Sequence, residues 1–308
     1  MAKYGIPYMG NKSKIAKQII NILPSGKRLV DLFGGGGAIT HCALTTNKWQ
    51  SVLYNDVNPL PVRLFKRAVN GEFNYNVFKP KFISRDEFEE NKNKDGYIKY
   101  IWSFGNKGQH YLFGRDIENY KRDLHNAVVF GDFSGDTFNK YPFLKNIKGK
   151  TITERRLSVR TLIRDNIGNN KQLQQLQQLQ QLERLQQLQQ LERLQQLERL
   201  ERLEYSTISY LDYQHKEGDV VYCDIPYENT ADYGERFFHK TFYDWTKTRD
   251  YPVWFSSYDI SDNYFDVIME INVKSTLSSS SNNCSKVEKL YFNKVGTINI
   301  HPQQLSFF

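Results

Sequence analysis

The sequence predicts an α/β fold with a mainly parallel sheet split by an inserted segment. Three observations carry that expectation. Apolar, β-branched runs alternate with helical patterns near both ends of the chain, glycines follow the first such run, and a polar, aromatic stretch with a repeat lies between the two α/β parts. Residues 1–80 and 205–308 are expected to form one discontinuous domain, 81–170 an insertion, and 171–204 a low-complexity, helix-forming segment.

The elements follow in chain order. Apolar Ile15, Ala16, Ile19, Ile20 and Leu23 set a helix over Lys12–Leu23, stopped by Pro24-Ser25-Gly26. A strand is expected at Arg28–Phe33, then a glycine turn, a helix from about Ala38, and a second strand at Ser51–Asn55. In the insertion, Tyr100–Phe104 and Gln109–Phe113 read as a hairpin around Gly105-Asn106-Lys107-Gly108. Between Lys140 and Arg164, eight basic residues (140, 145, 148, 150, 155, 156, 160, 164) face the single acid Glu154, which suits a phosphate-facing strip. From Leu173 to Leu203 leucine recurs at every third position. Each three-residue step turns back by about 60° on an α-helix, so the leucines spiral and form no coiled-coil seam. Further strands are expected at Thr207–Leu211, from Val220 into Asp224, at Pro252–Ser256, Phe265–Val273 and Val287–Phe292, with a Ser/Asn-rich loop at 278–285.

A chain of 308 residues with net charge +8 favours polyanionic partners, and its 14% aromatic content is too high for a disordered chain. Cysteines 42, 223 and 284 are odd in number and widely spaced, offering neither a disulfide framework nor a zinc pattern, so no metal is expected and a reducing cytoplasm is the natural setting. With no signal-like core and no apolar run approaching eighteen residues, a membrane partner is not expected.

Four motifs carry chemistry. Asp31-Leu32-Phe33-Gly34-Gly35-Gly36-Gly37 puts an acid and close-approach glycines at a strand end, open to a dinucleotide fold, a methyl-donor fold or a simple turn. Asp31 would repel a pyrophosphate and welcome an ammonium, which favours the methyl donor S-adenosylmethionine. Asp56 in Asn55-Asp56-Val57-Asn58-Pro59 is placed to accept hydrogen bonds from ribose hydroxyls, with a helix N-cap as the alternative. In Tyr8-Met9-Gly10-Asn11-Lys12, a ring could stack on adenine and an ammonium could pair with a carboxylate; packing and a first-turn lysine are the bland readings. Finally, Val220-Val221-Tyr222-Cys223-Asp224-Ile225-Pro226-Tyr227 runs from a buried strand into an acid, a rigid turn and a ring, the parts of a pocket for an extruded base.

Taken in this order, the four motifs resemble the Dam-like (D12 class) DNA adenine-N6 methyltransferases of phages and bacteria. The resemblance is closest over residues 4–60 and 205–260 and weaker at 100–115. It implies a Rossmann-like S-adenosylmethionine-dependent methyltransferase fold, a mainly parallel sheet with an antiparallel end hairpin, and an inserted target-recognition domain. It also implies double-stranded DNA as partner and site-specific transfer to adenine N6, with cytosine-N4 transfer or a degenerate DNA-binding module as rivals. A partner restriction nuclease is not legible in the sequence. Carried onto this chain, the resemblance assigns Tyr8, Lys12, Asp31, Phe33, Gly35, Gly37, Asp56, Asp212 and Tyr213 to the donor. It assigns Asp224, Ile225, Pro226 and Tyr227 to catalysis. Ile225 stands where the family usually has proline, but the group required there is a backbone carbonyl, which isoleucine also supplies.

Overall fold

The computed structural model describes residues 3–74, 78–166, 168, 190–194, 200–228, 237–274 and 285–296. The chain divides into two compact units. One comprises residues 1, 7–9 and 66–195, the other residues 2–6, 10–65 and 196–308.

The second unit contains, among the described residues, a seven-stranded sheet ordered β3-β2-β1-β4-β5-β7-β6. Its strands are β1 (Gly26–Asp31), β2 (Trp49–Asn55), β3 (Leu203–Ser206), β4 (Asp219–Asp224), β5 (Val253–Ser257), β6 (Asp266–Lys274) and β7 (Ser285–Phe292). The first five pair in parallel, while β7 runs antiparallel to β5 and to β6. That is the expected parallel sheet with an antiparallel end. The first helix, α1 (Ala16–Ile22), is preceded by a 3-10 turn at Lys12–Lys14 and packs on α2 (Ala38–Leu44).

Period-two alternation decides which residues share a face. Val30, Val221, Cys223, Val253, Phe255 and Tyr291 enter one core with Phe242, Tyr243 and Trp245 of the helix His239–Lys247. Asp31 lies opposite Tyr222, Asp224 opposite Ser256, and Ser256 opposite Leu290, so these side chains share the other face. Two residues before Leu290, Glu288 joins them. Strand order reverses between β1 and β4, and the crevice beyond the carboxyl ends of such strands is where open α/β sheets bind ligands.

One expected strand is displaced. β3 occupies Leu203–Ser206, not Thr207–Leu211, and Tyr210–Asp212 is a 3-10 turn. The cause is Asn55, whose Nδ2 donates to the Ile208 carbonyl at 3.0 Å and whose Oδ1 accepts from the Ile208 N–H at 2.9 Å. A side chain takes over the ladder there, and the backbone leaves the sheet.

In the other unit, α4 (Arg85–Asn91), α5 (Glu118–Phe130), a short α6 (Thr137–Lys140) and α7 (Ile152–Asn166) surround an aromatic core that includes Phe82, Phe88, Trp102, Tyr111 and Phe113. Of α3 (Pro59–Val69), the residues to Phe65 belong to the sheet unit and the rest to this one. The expected hairpin shrinks to a single bridge, Ser103 to Tyr111. Tyr97–Ile101 forms a π-helical turn, its first N–H bound by Asp95 Oδ1 at 2.6 Å. Tyr100, Ile101 and Trp102 are all buried, a consecutive burial that alternation in a half-exposed strand does not allow. The basic strip is also thinner than its composition suggests. Arg156 is buried, and Arg155 is half-buried and donates to the Val129 carbonyl, while Lys140, Lys145, Lys148, Lys150, Arg160 and Arg164 remain exposed.

Residues 190–194 of the leucine repeat are helical; most of the repeat, residues 278–284 of the expected loop and with them Cys284 lie outside the described residues, and Ser285 opens β7. Among the described residues, no helix is long and apolar enough to cross a membrane and no cluster could hold a metal ion.

Candidate active site

β1 delivers Asp31 to its carboxyl end, 1% exposed. Oδ2 accepts from the Thr40 hydroxyl at 2.7 Å and the Thr40 N–H at 3.2 Å, whereas Oδ1 is buried with no hydrogen-bond partner among the described residues. Burial, and next the nearby charges of Asp224 and Asp56, push the Asp31 carboxyl up to about 7 against the relief given by Thr40. A buried acceptor left unpaired is costly, and a cationic group would satisfy it.

The turn after β1 approaches its neighbours closely. A Cβ on Gly34 would fall 2.1 Å from the Tyr54 ring, and Gly37 holds φ at +65° where its Cβ would meet the Phe65 ring at 2.5 Å. Gly35 donates its N–H to Asp56 Oδ2 at 2.8 Å and accepts from the Tyr54 hydroxyl at 2.7 Å. Asp56 Oδ1 accepts from the Asn58 N–H at 2.9 Å, and Asn58 Oδ1 from the Leu60 N–H at 3.0 Å. Asp56 therefore ties the glycine turn to the start of α3. Phe33 packs against Tyr210, Phe237 and Phe242 with ring centroids 5.4–5.8 Å apart.

Asp224 ends β4. Its Oδ1 lies 2.6 Å from Lys12 Nζ and accepts from Ser256 Oγ at 3.1 Å; Ser256 Oγ is in turn 2.7 Å from the Tyr222 hydroxyl. Burial raises the Asp224 carboxyl, opposed by the Lys12 charge and by the hydrogen bonds from Lys12 and Ser256. Ile225 is 1% exposed in the core beside the helix His239–Lys247, so its side chain is a packing group. The next carbonyl, that of Pro226, accepts from His239 Nε2 at 2.7 Å. Tyr227 has its ring 4.6 Å from Lys12 Nζ and 4.4 Å from the Tyr258 ring, and its hydroxyl donates to Glu288 Oε1.

Lys12, Asp31, Phe33, Gly35, Gly37, Asp56 and Asp224–Tyr227 thus all belong to the sheet unit. Three expected residues lie away from this group, one of them in the other unit. Tyr8 belongs to the other unit, where its ring lies 4.9 Å from that of Tyr100. Asp212 is exposed on the Tyr210–Asp212 turn. Tyr213 is buried, with its hydroxyl donating to Asp219 at the amino end of β4, away from the carboxyl edge. Sequence reasoning missed Glu288, Ser256 and Thr40. For Glu288 a faint signal existed, an acid inside the apolar run Val287–Phe292.

An acid at the end of β1, an acid after β2, a close glycine turn and a parallel sheet with an antiparallel end define a methyltransferase-type α/β fold. The comparison with protein families specifies it further. Residues 8–291 match the D12 class N6 adenine-specific DNA methyltransferases, and the chain belongs to that family. It is also 26% identical over 132 residues to the DNA N-6-adenine-methyltransferase of Escherichia phage P1, a match covering 43% of this chain but only 15% of the phage protein. Family members use S-adenosylmethionine. The unpaired buried oxygen of Asp31 and the glycine turn fit such a donor, whose ammonium would satisfy the one and whose main body needs the closeness of the other.

Proposed function

We propose that this chain methylates adenine N6 in double-stranded DNA, acting on a base rotated out of the duplex. The observation that carries the reading is Asp224, held at the carboxyl end of β4 on the sheet face it shares with Asp31, with Tyr227 three residues on.

The adenine amino nitrogen is a poor nucleophile because its lone pair is delocalised into the ring. The Asp224 carboxylate and the Ile225 carbonyl accept its two N–H groups, which favours the lone-pair-bearing geometry and stabilises positive charge developing on nitrogen. Tyr227 offers a ring for the extruded base. Lys12 and Ser256 orient Asp224 through Oδ1 and favour its ionised form, against the burial that on balance raises its carboxyl. After transfer, Asp224 holds the proton that N6 must lose.

S-adenosylmethionine supplies an electrophilic methyl group when bound. Asp31 would take its ammonium, Gly35 and Gly37 its methionine portion, Asp56 its ribose hydroxyls, and Phe33 an apolar wall. Of the other residues that the family resemblance assigns to the donor, Tyr213 is bound to Asp219 at the amino end of β4, and this reading uses neither it nor Tyr8 and Asp212. A cytoplasmic setting belongs to the same reading and rests on the free, buried Cys42 and Cys223.

Asp224→Ala tests the assignment. Methyl transfer to DNA is expected to fall by about 10³-fold or more, as for loss of a principal transition-state contact, while calorimetry still shows donor binding. Full activity in this variant contradicts the reading.

A further inference from the structure

We propose that Glu288 of β7 is a positioning residue for methyl transfer, fixing the target-base clamp through Lys12 and Tyr227. This rests on the adenine-methylation reading above and adds to it a residue that the four sequence motifs do not contain.

Glu288 is 4% exposed, and a carboxylate is seldom buried unless it is paired. Its Oε1 accepts the Tyr227 hydroxyl and lies 3.5 Å from Lys12 Nζ. Lys12 in turn reaches Asp224 Oδ1 at 2.6 Å and sits 4.6 Å from the Tyr227 ring centroid. Lys12 and Glu288 therefore close a loop around the Asp224–Tyr227 turn, touching its first and last side chains from two remote points of the chain. Burial raises the Glu288 carboxyl, opposed by the Lys12 charge, while the Asp224 charge raises it further. One ammonium between two carboxylates leaves each dependent on the other's placement.

Two consequences follow for the clamp. The Tyr227 ring is tethered at its hydroxyl and flanked by the Tyr258 ring, so its position is restrained before a base arrives. Lys12 is held by a second carboxylate besides Asp224, which restrains the ammonium that bonds Oδ1. Preorganisation of this kind acts on the chemical step, where a displacement of about 1 Å can cost on the order of a hundredfold. Lys12, which the family resemblance assigns to the donor, is here engaged by Asp224 and Glu288; with the donor held through Asp31 and Asp56, donor affinity should be nearly blind to Glu288.

The test uses the full chain, unmethylated genomic DNA and tritiated S-adenosylmethionine, with Glu288→Leu, Glu288→Gln, Tyr227→Phe and Tyr227→Phe/Glu288→Leu. Glu288→Leu is expected to lower kcat by roughly tenfold to a hundredfold. Donor Kd by calorimetry should stay within about twofold, the scatter of independent sites. Glu288→Gln keeps an acceptor for the Tyr227 hydroxyl and recovers part of the loss; it also serves if the leucine variant does not fold. The double variant should lose less than the product of the single losses, because both break the same tether. Glu288 variants with wild-type kcat, a loss that appears mainly in donor Kd, or strictly multiplicative losses overturn the inference. Wild-type protein that leaves adenine unmethylated overturns the underlying reading itself.

Discussion

The two ends of the strand pair β1 and β4 are built on opposite principles. At the amino end, Arg28 meets Asp219 in a two-pronged pair, Nε to Oδ1 at 2.9 Å and Nη2 to Oδ2 at 2.8 Å. Tyr213 and the Lys216 N–H also donate to Asp219 Oδ2, and Glu204 takes Arg28 Nη1 at 3.0 Å. At the carboxyl end, Asp31 keeps one buried oxygen unpaired, and Asp224 and Glu288 share a single lysine. One end satisfies its charges within the chain; the other leaves an Asp31 oxygen unpaired among the described residues and places three acids around one another. Deviations from full polar pairing are expected at functional sites.

The contrast has opposite signs in pH. Burial raises the Asp219 carboxyl, but Arg28, Tyr213 and the Lys216 N–H together outweigh it, and the net effect is downward. Asp219 therefore adds stability above the ordinary carboxylate range, and that stability is lost as pH falls through its lowered folded value. Asp31 is pushed up to about 7, so the fold binds its proton more tightly than the unfolded chain does. Its burden on stability appears as pH rises from the model-peptide value of about 4 through about 7.

The largest expected change at the closed end follows Arg28→Met, which leaves a buried carboxylate without its partner. A loss of about 3–5 kcal/mol is expected in urea unfolding, with no change in donor affinity of the folded fraction. A loss below about 1 kcal/mol, the range of exposed pairs, would remove the stabilising role given to this end.

A smaller and opposite effect is expected at the open end. Asp31→Asn should raise the melting temperature of the empty protein at pH 8 and weaken donor binding. In the wild type, donor affinity should fall as pH drops below about 7, approaching tenfold per pH unit, because an ionised Asp31 is required for an ammonium. Asp224, Asp56 and Lys12 share that edge, so the comparison is made against Asp31→Asn, whose profile should be flatter. A variant that is less stable than wild type at pH 8, or an unchanged pH profile, would sink the assignment of Asp31 as an acceptor awaiting its cation.

The comparison also explains what was legible in the sequence. β1, β2, β4, β5, β6 and β7 could be read because each is an apolar or β-branched run bounded by Gly, Pro or polar residues. Asp31, Asp56 and Asp224 could be read because each ends or follows such a run. The displaced β3 could not, since it depends on the Asn55 side chain more than 150 residues away. Nor could the missing hairpin, where aromatic residues that suit strands are buried together in a helical turn. The Arg28–Asp219 pair and Glu288 are tertiary facts, joined across 191 residues in the first case and by sheet register in the second. Ile225 reverses the usual lesson. Its departure from the family pattern was visible in sequence, and the structure gives its side chain a place in the core.

The central claim concerns which atom receives the methyl group. Unmethylated genomic DNA treated with the purified chain and S-adenosylmethionine can be digested to nucleosides and resolved by mass spectrometry. N6-methyladenine as the product, lost in Asp224→Ala, is the expected result. N4-methylcytosine in its place, or no modified base in the presence of bound donor, would contradict it.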